Sequence, residues 1–268
     1  MPGTSTPTPK HPRSTPKSRI PGKSKSASIW RRILSTFAEI GFLLGLLSLY
    51  KAGRLAAMHH THNAWLNARW AHKIDTLLSR PSTPWLQEHL SDRVLHAANV
   101  YYASVHFPLT AAFVASCLFS LERSAYLRMR NTLVTMTFIA LVVEIAIPLA
   151  PPRMFPQWGY QDTMNTIGPS AYAGHVGKVA NQLAAMPSLH VGWASLIALT
   201  LWRSAPRWIG ALGVGHAMAT ITVVTITANH WRIDGIVALI VLFATDRAFG
   251  KRCRDGVAPA ESPVTSPT

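Results

Sequence analysis

The residues best suited to chemistry are two histidines and an aspartate at the mouths of apolar segments. His190 lies in "AAMPSLHVGWA" (184–194), and His230 and Asp234 lie in "TANHWRIDG" (227–235). Four residues apart on a helix, His230 and Asp234 share one face, so the carboxylate accepts one imidazole N–H and leaves the other nitrogen's lone pair pointing outward. An imidazole held in this way is an oriented nucleophile or base. His190 arrives from a different helix start, where it can protonate a leaving oxygen. Arg153 follows two prolines in "APPRM" (150–154) and offers a planar fork of donors suited to phosphate. Together these groups support a phosphoryl-transfer site that needs no metal and no cofactor.

The solvent for that chemistry follows from composition. The 268 residues are 49% hydrophobic and 14% charged, and the charges lie outside a few long apolar stretches, which points to the membrane. The net charge of +15 would suit nucleic acid. However, much of it (Lys10, Arg13, Lys17, Arg19, Lys23, Lys25, Arg31, Arg32) falls in a Pro/Ser/Thr-rich tail that cannot bury a core. Beside a membrane span such a cluster is drawn to anionic headgroups, so the expected partners are membrane lipids and not nucleic acid. Cys117 falls in an apolar span and Cys253 in the basic C-terminal tail; they are not expected to pair, and no thiolate metal site is available.

Six segments approach membrane length: 33–50, 105–121 (with helix beginning near Leu95), 133–149 up to the helix-stopping "PLAPPR", 191–202 (starting near Ser188), 208–228 and 233–249. The short loops "ERSAYLRMRN" and "RSAPR" and the stretch from Arg247 to Arg254 are basic, which places them and both termini in the cytoplasm. "PPR", "PSLH" and "NHWRID" then share the outer face. The first apolar run follows a basic tail too long for a usual signal peptide and reads as an uncleaved anchor. Between the first two spans, residues 64–102 are rich in Trp, Leu and basic side chains and broken at Arg80-Pro81, as an amphipathic interfacial segment would be.

At these residues the chain resembles the type 2 phosphatidic acid phosphatase superfamily, and within it the branch related to inositol phosphorylceramide synthase. The superfamily pattern has three parts, KxxxxxxRP, PSGH and SRxxxxxHxxxD. Here the second is present as "PSLH" (187–190) and the third keeps its end as "HWRID" (230–234); "APPRM", "AAMPSLHVGWA" and "TANH" are similar to the synthase-like branch. The likeness covers about residues 95–245. It implies that His230 forms a phosphohistidine, Asp234 orients it, His190 is the general acid, and Arg153 and Ser188 hold phosphoryl oxygens. It also implies a phospholipid or lipid-phosphate substrate, with water or a polyol or sugar hydroxyl as acceptor. Two cations of the pattern are absent: Ala146 stands where the lysine is expected and Val224 where the arginine is expected. Arg232 is a candidate replacement, although two residues after His230 it points to another side.

Other polar residues have plainer readings beside these. His106, in "YYASVHFP" at the outer end of the second span, is a candidate headgroup contact or an interfacial residue. His216 and Glu144 lie within spans and suit helix-to-helix hydrogen bonds. Asp246 beside Arg247 reads as a solvated pair, "GALGVG" (210–215) as close helix packing, and the tryptophans as an aromatic belt. The "HHTH" run at 59–62 has no carboxylate or thiolate beside it and is not read as a metal site.

The expectation is therefore an all-α integral membrane six-helix bundle over 32–250, flanked by disordered tails at 1–31 and 251–268. Its activity is phosphoryl transfer on a lipid at the outer face of the cell membrane. The alternative is a non-catalytic transporter or scaffold. Oligomeric state has no sequence signature here.

Overall fold

The computed structural model describes residues 25–56, 61–78, 80–171 and 182–255. The chain divides into two compact units, Met1–Phe42 and Leu43–Thr268, and every site considered below belongs to the second. Among the described residues the structure is all-helical, with a single isolated bridge, Leu149 to Ala184. The helices are α1 (Lys25–Ala56), α2 (Thr61–Leu78), α3 (Thr83–His89), α4 (Asp92–Val100), α5 (His106–Ser120), α6 (Arg123–Ala146), α7 (Thr163–Thr166), α8 (Leu189–Ser204), α9 (Arg207–Ile226) and α10 (Arg232–Asp255). Helix α1 thus starts, and α10 ends, inside stretches expected to be tail.

Local chemistry sets most of these boundaries. Pro108 has no N–H to offer the Ser104 carbonyl, and the wider π turn at Tyr101–Val105 joins α4 to α5 at this misfit. Helix α6 stops at Ala146, before Pro148, with Ile147 already out of the helical region at φ −132° and ψ 69°. The Ser188 hydroxyl caps α8 by accepting from the Val191 N–H at 3.4 Å.

Three helical stretches among the described residues are long and apolar enough to cross a membrane: Asp92–Ser120, Arg123–Ala146 and Arg207–Ile226. Side-chain sizes are distributed as lipid solvation requires. Phe119, Phe138, Trp202, Trp208, Leu212 and Ile240 face outward, while Ala194, Ala198 and Ala217 form an interior cluster. Helix α8 packs on α5, α6, α9 and α10. Gly210 and Gly213 of "GALGVG" press against it so closely that a Cβ would lie 3.0 Å from Trp202 and from Leu201, respectively. The amphipathic segment is similarly inside-out: α2 buries Ala64, Ala68, Ala71 and Asp75 and exposes Trp65, Leu66, Leu77 and Leu78. His59 and His60 of the "HHTH" run lie outside the described residues.

Two in-span polar residues are bonded between helices. The Tyr50 hydroxyl donates to Glu144 Oε1 at 3.2 Å, and Tyr101 Oη meets His216 Nδ1 at 2.6 Å. Asp246 departs from the solvated pair with Arg247. The turn of α10 points it inward, where it is buried between Arg128 and Arg203.

Candidate active site

Three non-helical stretches meet at the start of α8. Leu149 bonds to the residues on either side of its bridge partner Ala184: the Leu149 N–H donates to the Leu183 carbonyl at 2.7 Å, and the Ala185 N–H to the Leu149 carbonyl at 3.1 Å. The Ser188 N–H donates to the Asp234 carbonyl at 3.1 Å, and the Arg153 N–H to the Ala228 carbonyl at 2.9 Å. The Trp231 indole N–H reaches the Ala150 carbonyl at 2.9 Å. "APPR", "PSLH" and "NHWRID" are thereby fixed to one another mainly through their backbones. Ala228, the residue that redirects the chain after α9, has φ 52°, a left-handed conformation that non-glycine residues seldom adopt.

His190 and His230 sit with ring centroids 5.5 Å apart, each 9% exposed. His230 Nδ1 lies 2.8 Å from the Ala185 carbonyl and 3.4 Å from Asp234 Oδ2. Both partners accept only, so Nδ1 carries the proton and the lone pair belongs to Nε2. The expected pairing with Asp234 is therefore present, by a different route. His230 is not on the helix; it lies in the turn before α10, and the nearer partner of its Nδ1 is a carbonyl. Asp234 Oδ2 meanwhile accepts the Trp231 N–H at 2.8 Å, reaching back to the helix start as in a capping box.

Arg153 is 4% exposed. Its Nε donates to Asn229 Oδ1 at 3.0 Å, Nη2 to Gln182 Oε1 at 2.9 Å, and Nη1 lies 3.4 Å from Asp162 Oδ2. It is thus docked on the residue that precedes His230. Ser188 is fully buried as the cap of α8. Arg232 turns away: its backbone N–H and its guanidinium contact Asp75 at 2.9 and 3.2 Å, so it does not replace a missing site cation. Around that pair, burial holds the His72 imidazole below its ordinary value, with Asp75 opposing; burial and the Asp75 carboxylate push the Tyr160 hydroxyl well up.

His106 is fully buried, and neither ring nitrogen has a hydrogen-bond partner among the described residues. Its ring centroid lies 4.7 Å from that of His190 and 6.0 Å from that of His216, and Tyr102 stacks on His190 at 4.4 Å. The profile of the PAP2 superfamily matches residues 69–246, which include all of these groups. The chain belongs to the PAP2 superfamily. Membership supports a phosphatase-type enzyme acting on lipid phosphates. No curated protein and no solved structure gives a significant match. No group of three or more histidine, cysteine or carboxylate side chains able to hold a metal occurs among the described residues of this PAP2 chain.

Asn229, Ala185, Tyr102 and His216 were not foreseen as parts of this PAP2 site. Asn229 had a signal, its place directly before His230, but a carbonyl such as that of Ala185 has no side-chain signature at all.

Proposed function

We propose that this protein is a membrane phosphotransferase or phosphatase acting on a lipid-linked phosphate through a phosphohistidine on His230. The observation that carries the reading is the orientation of His230: with Nδ1 turned to the Ala185 carbonyl and Asp234, Nε2 is the nucleophilic nitrogen, and His190 stands one ring-to-ring contact away.

In the first step the Nε2 lone pair of His230 bonds to phosphorus, the bond to the leaving oxygen breaks, and imidazolium His190 gives its proton to that oxygen. Nδ1 keeps its proton throughout, and Asp234 offsets the charge of the phosphoimidazolium. In the second step an acceptor hydroxyl attacks phosphorus, the P–N bond breaks, and His190 recovers a proton from the acceptor. Water as acceptor gives a phosphatase; a polyol or sugar hydroxyl gives a phosphotransferase. Phosphoryl oxygens take the place of Gln182 and Asp162 on the outer nitrogens of Arg153, while Asn229 continues to hold Nε. Ser188 contributes by fixing the first turn of α8. His106, with two buried ring nitrogens to satisfy, contacts the substrate headgroup.

The proposed topology has six spans with both termini cytoplasmic and the site at the outer face. It rests on the three long apolar helices and on the basic short loops. Incubating the purified protein with labelled lipid phosphates and phospholipids, with and without polyols, tests the reading. Label in free phosphate or in a polyol phosphate supports it, and the absence of any phosphoryl product under all conditions contradicts it.

A further inference from the structure

A second charged constellation lies at the other end of α8. His190 and Arg203 are thirteen positions apart on this helix, about 20 Å along its axis. There Asp246 is gripped from two sides. Arg128 donates from Nε to Oδ1 at 2.9 Å and from Nη2 to Oδ2 at 2.8 Å, and Arg203 from Nη1 to Oδ1 at 2.8 Å and from Nη2 to Oδ2 at 3.0 Å. One guanidinium would suffice to neutralise the carboxylate, so the second leaves the constellation with a net positive charge. Each guanidinium has five N–H donors and directs only two nitrogens at Asp246, which leaves donors on both. The arginine side chains are 31% and 42% exposed, whereas Asp246 is nearly enclosed.

These donors open onto a cavity of about 280 Å³ between α6, α8 and α10. Hydroxyl groups of Ser124, Thr200 and Ser204 line it, and Met129 and Leu196 give it an apolar wall. The flanking sequence is strongly basic: Arg123, Arg130, Arg207 and Arg247 each lie within five positions of Arg128, Arg203 or Asp246. A purely structural ion pair linking three helices requires neither the excess cation nor the hydroxyl-lined opening. A phosphate group uses both, and the apolar wall suits the glycerol and acyl portion that follows it in a lipid.

We propose that this cavity binds the phosphate of an anionic lipid headgroup, at the end of the bundle opposite the candidate active site. The assignment does not depend on the catalytic reading. It is tested on the full chain carrying His230→Ala, so that turnover cannot consume the probe, by native mass spectrometry against phosphatidylglycerol, phosphatidylcholine and soluble glycerol phosphate. Arg203→Gln removes the excess cation and is expected to weaken phosphatidylglycerol binding about fivefold. Asp246→Asn raises the net charge by one while keeping an acceptor between the arginines, and is expected to strengthen binding by a similar factor. Arg128→Gln must repeat the loss seen with Arg203→Gln, which keeps the test decisive if the Asp246 variant does not fold. Phosphatidylcholine binding should be indifferent to all three changes. Equal phosphatidylglycerol affinity across the variants, or weakening by Asp246→Asn to the same degree as by Arg203→Gln, would overturn the proposal. Full displacement by glycerol phosphate at equal concentration would assign the site to a free anion and overturn the lipid source.

Discussion

At the His190 end of α8, charged and polar side chains are held by backbone: His230 by the Ala185 carbonyl, Asp234 by the Trp231 N–H, and the Arg153 segment by the Ala228 carbonyl. At the Arg203 end, side chains hold one another across three regular helices through paired guanidinium and carboxylate groups. The first arrangement uses turns, a two-residue bridge and a left-handed alanine, elements that fix a ring's direction and leave its working nitrogen unused. The second satisfies its carboxylate fully and joins helices. The lesson is that orientation for chemistry and cohesion of the bundle are carried by opposite ends of the same helix, and perturbing each end should give a different kind of loss.

The largest effect expected is at His230. His230→Ala should reduce turnover to background, because it removes the lone pair proposed to attack, and should destabilise the fold modestly, by about 1–3 kcal/mol, since the buried Ala185 carbonyl and Asp234 lose a partner. His190→Ala should slow turnover by about 10²- to 10⁴-fold, the usual contribution of a general acid. A substrate with a nitrophenolate leaving group, which needs no protonation, should recover part of that loss and none of the loss in His230→Ala. Comparing rates on the two substrates checks this directly.

Asp234→Asn should be milder, about 10- to 100-fold, in the range of a partner that orients a reacting group. The Ala185 carbonyl still selects the Nδ1–H tautomer, so charge support is lost while direction is kept. A loss as large as that of His230→Ala would mean that the carbonyl contact contributes nothing. At the other end the currency is stability. Asp246→Ala removes four charge-assisted hydrogen bonds between three helices but leaves two partly exposed guanidinium groups that solvent can screen, so it should destabilise the fold by about 1–3 kcal/mol, read as a lowered unfolding midpoint. The smallest effect expected is that of chelation: EDTA should leave turnover unchanged, and restoration of a lost activity by a divalent ion would contradict a site built on imidazoles and Arg153.

Much of this division was legible in the sequence, and the illegible parts share a physical cause. Apolar runs and helix stops gave the helices, because hydrophobic length and proline act locally: α6 ends just before Pro148 and α8 starts after Ser188, as the residues require. Type and spacing single out His190, His230, Asp234 and Arg153, and the structure brings the two histidines and Asp234 together. What spacing could not show was how His230 is held. The Ala185 carbonyl is presented to it by the pairing of 149 with 184, a contact between segments far apart in the chain. The same holds for Asp246, whose adjacency to Arg247 suggested a local pair while its partners, Arg128 and Arg203, come from other helices. Arg232 shows the converse: its position two residues after His230 already pointed it elsewhere, and Asp75 receives it.

The central claim, that His230 is the nucleophile, is tested most directly by trapping the intermediate. Phosphate-labelled lipid substrate is mixed with the protein, the reaction is quenched at alkaline pH, where phosphohistidine survives, and the labelled residue is located by peptide mapping. The account predicts label on His230 in the unmodified protein, slower formation at the same residue in Asp234→Asn, and none in His230→Ala. Label on His190 would show the two roles reversed, and a turning-over enzyme with no covalent label at any time would contradict the phosphohistidine mechanism.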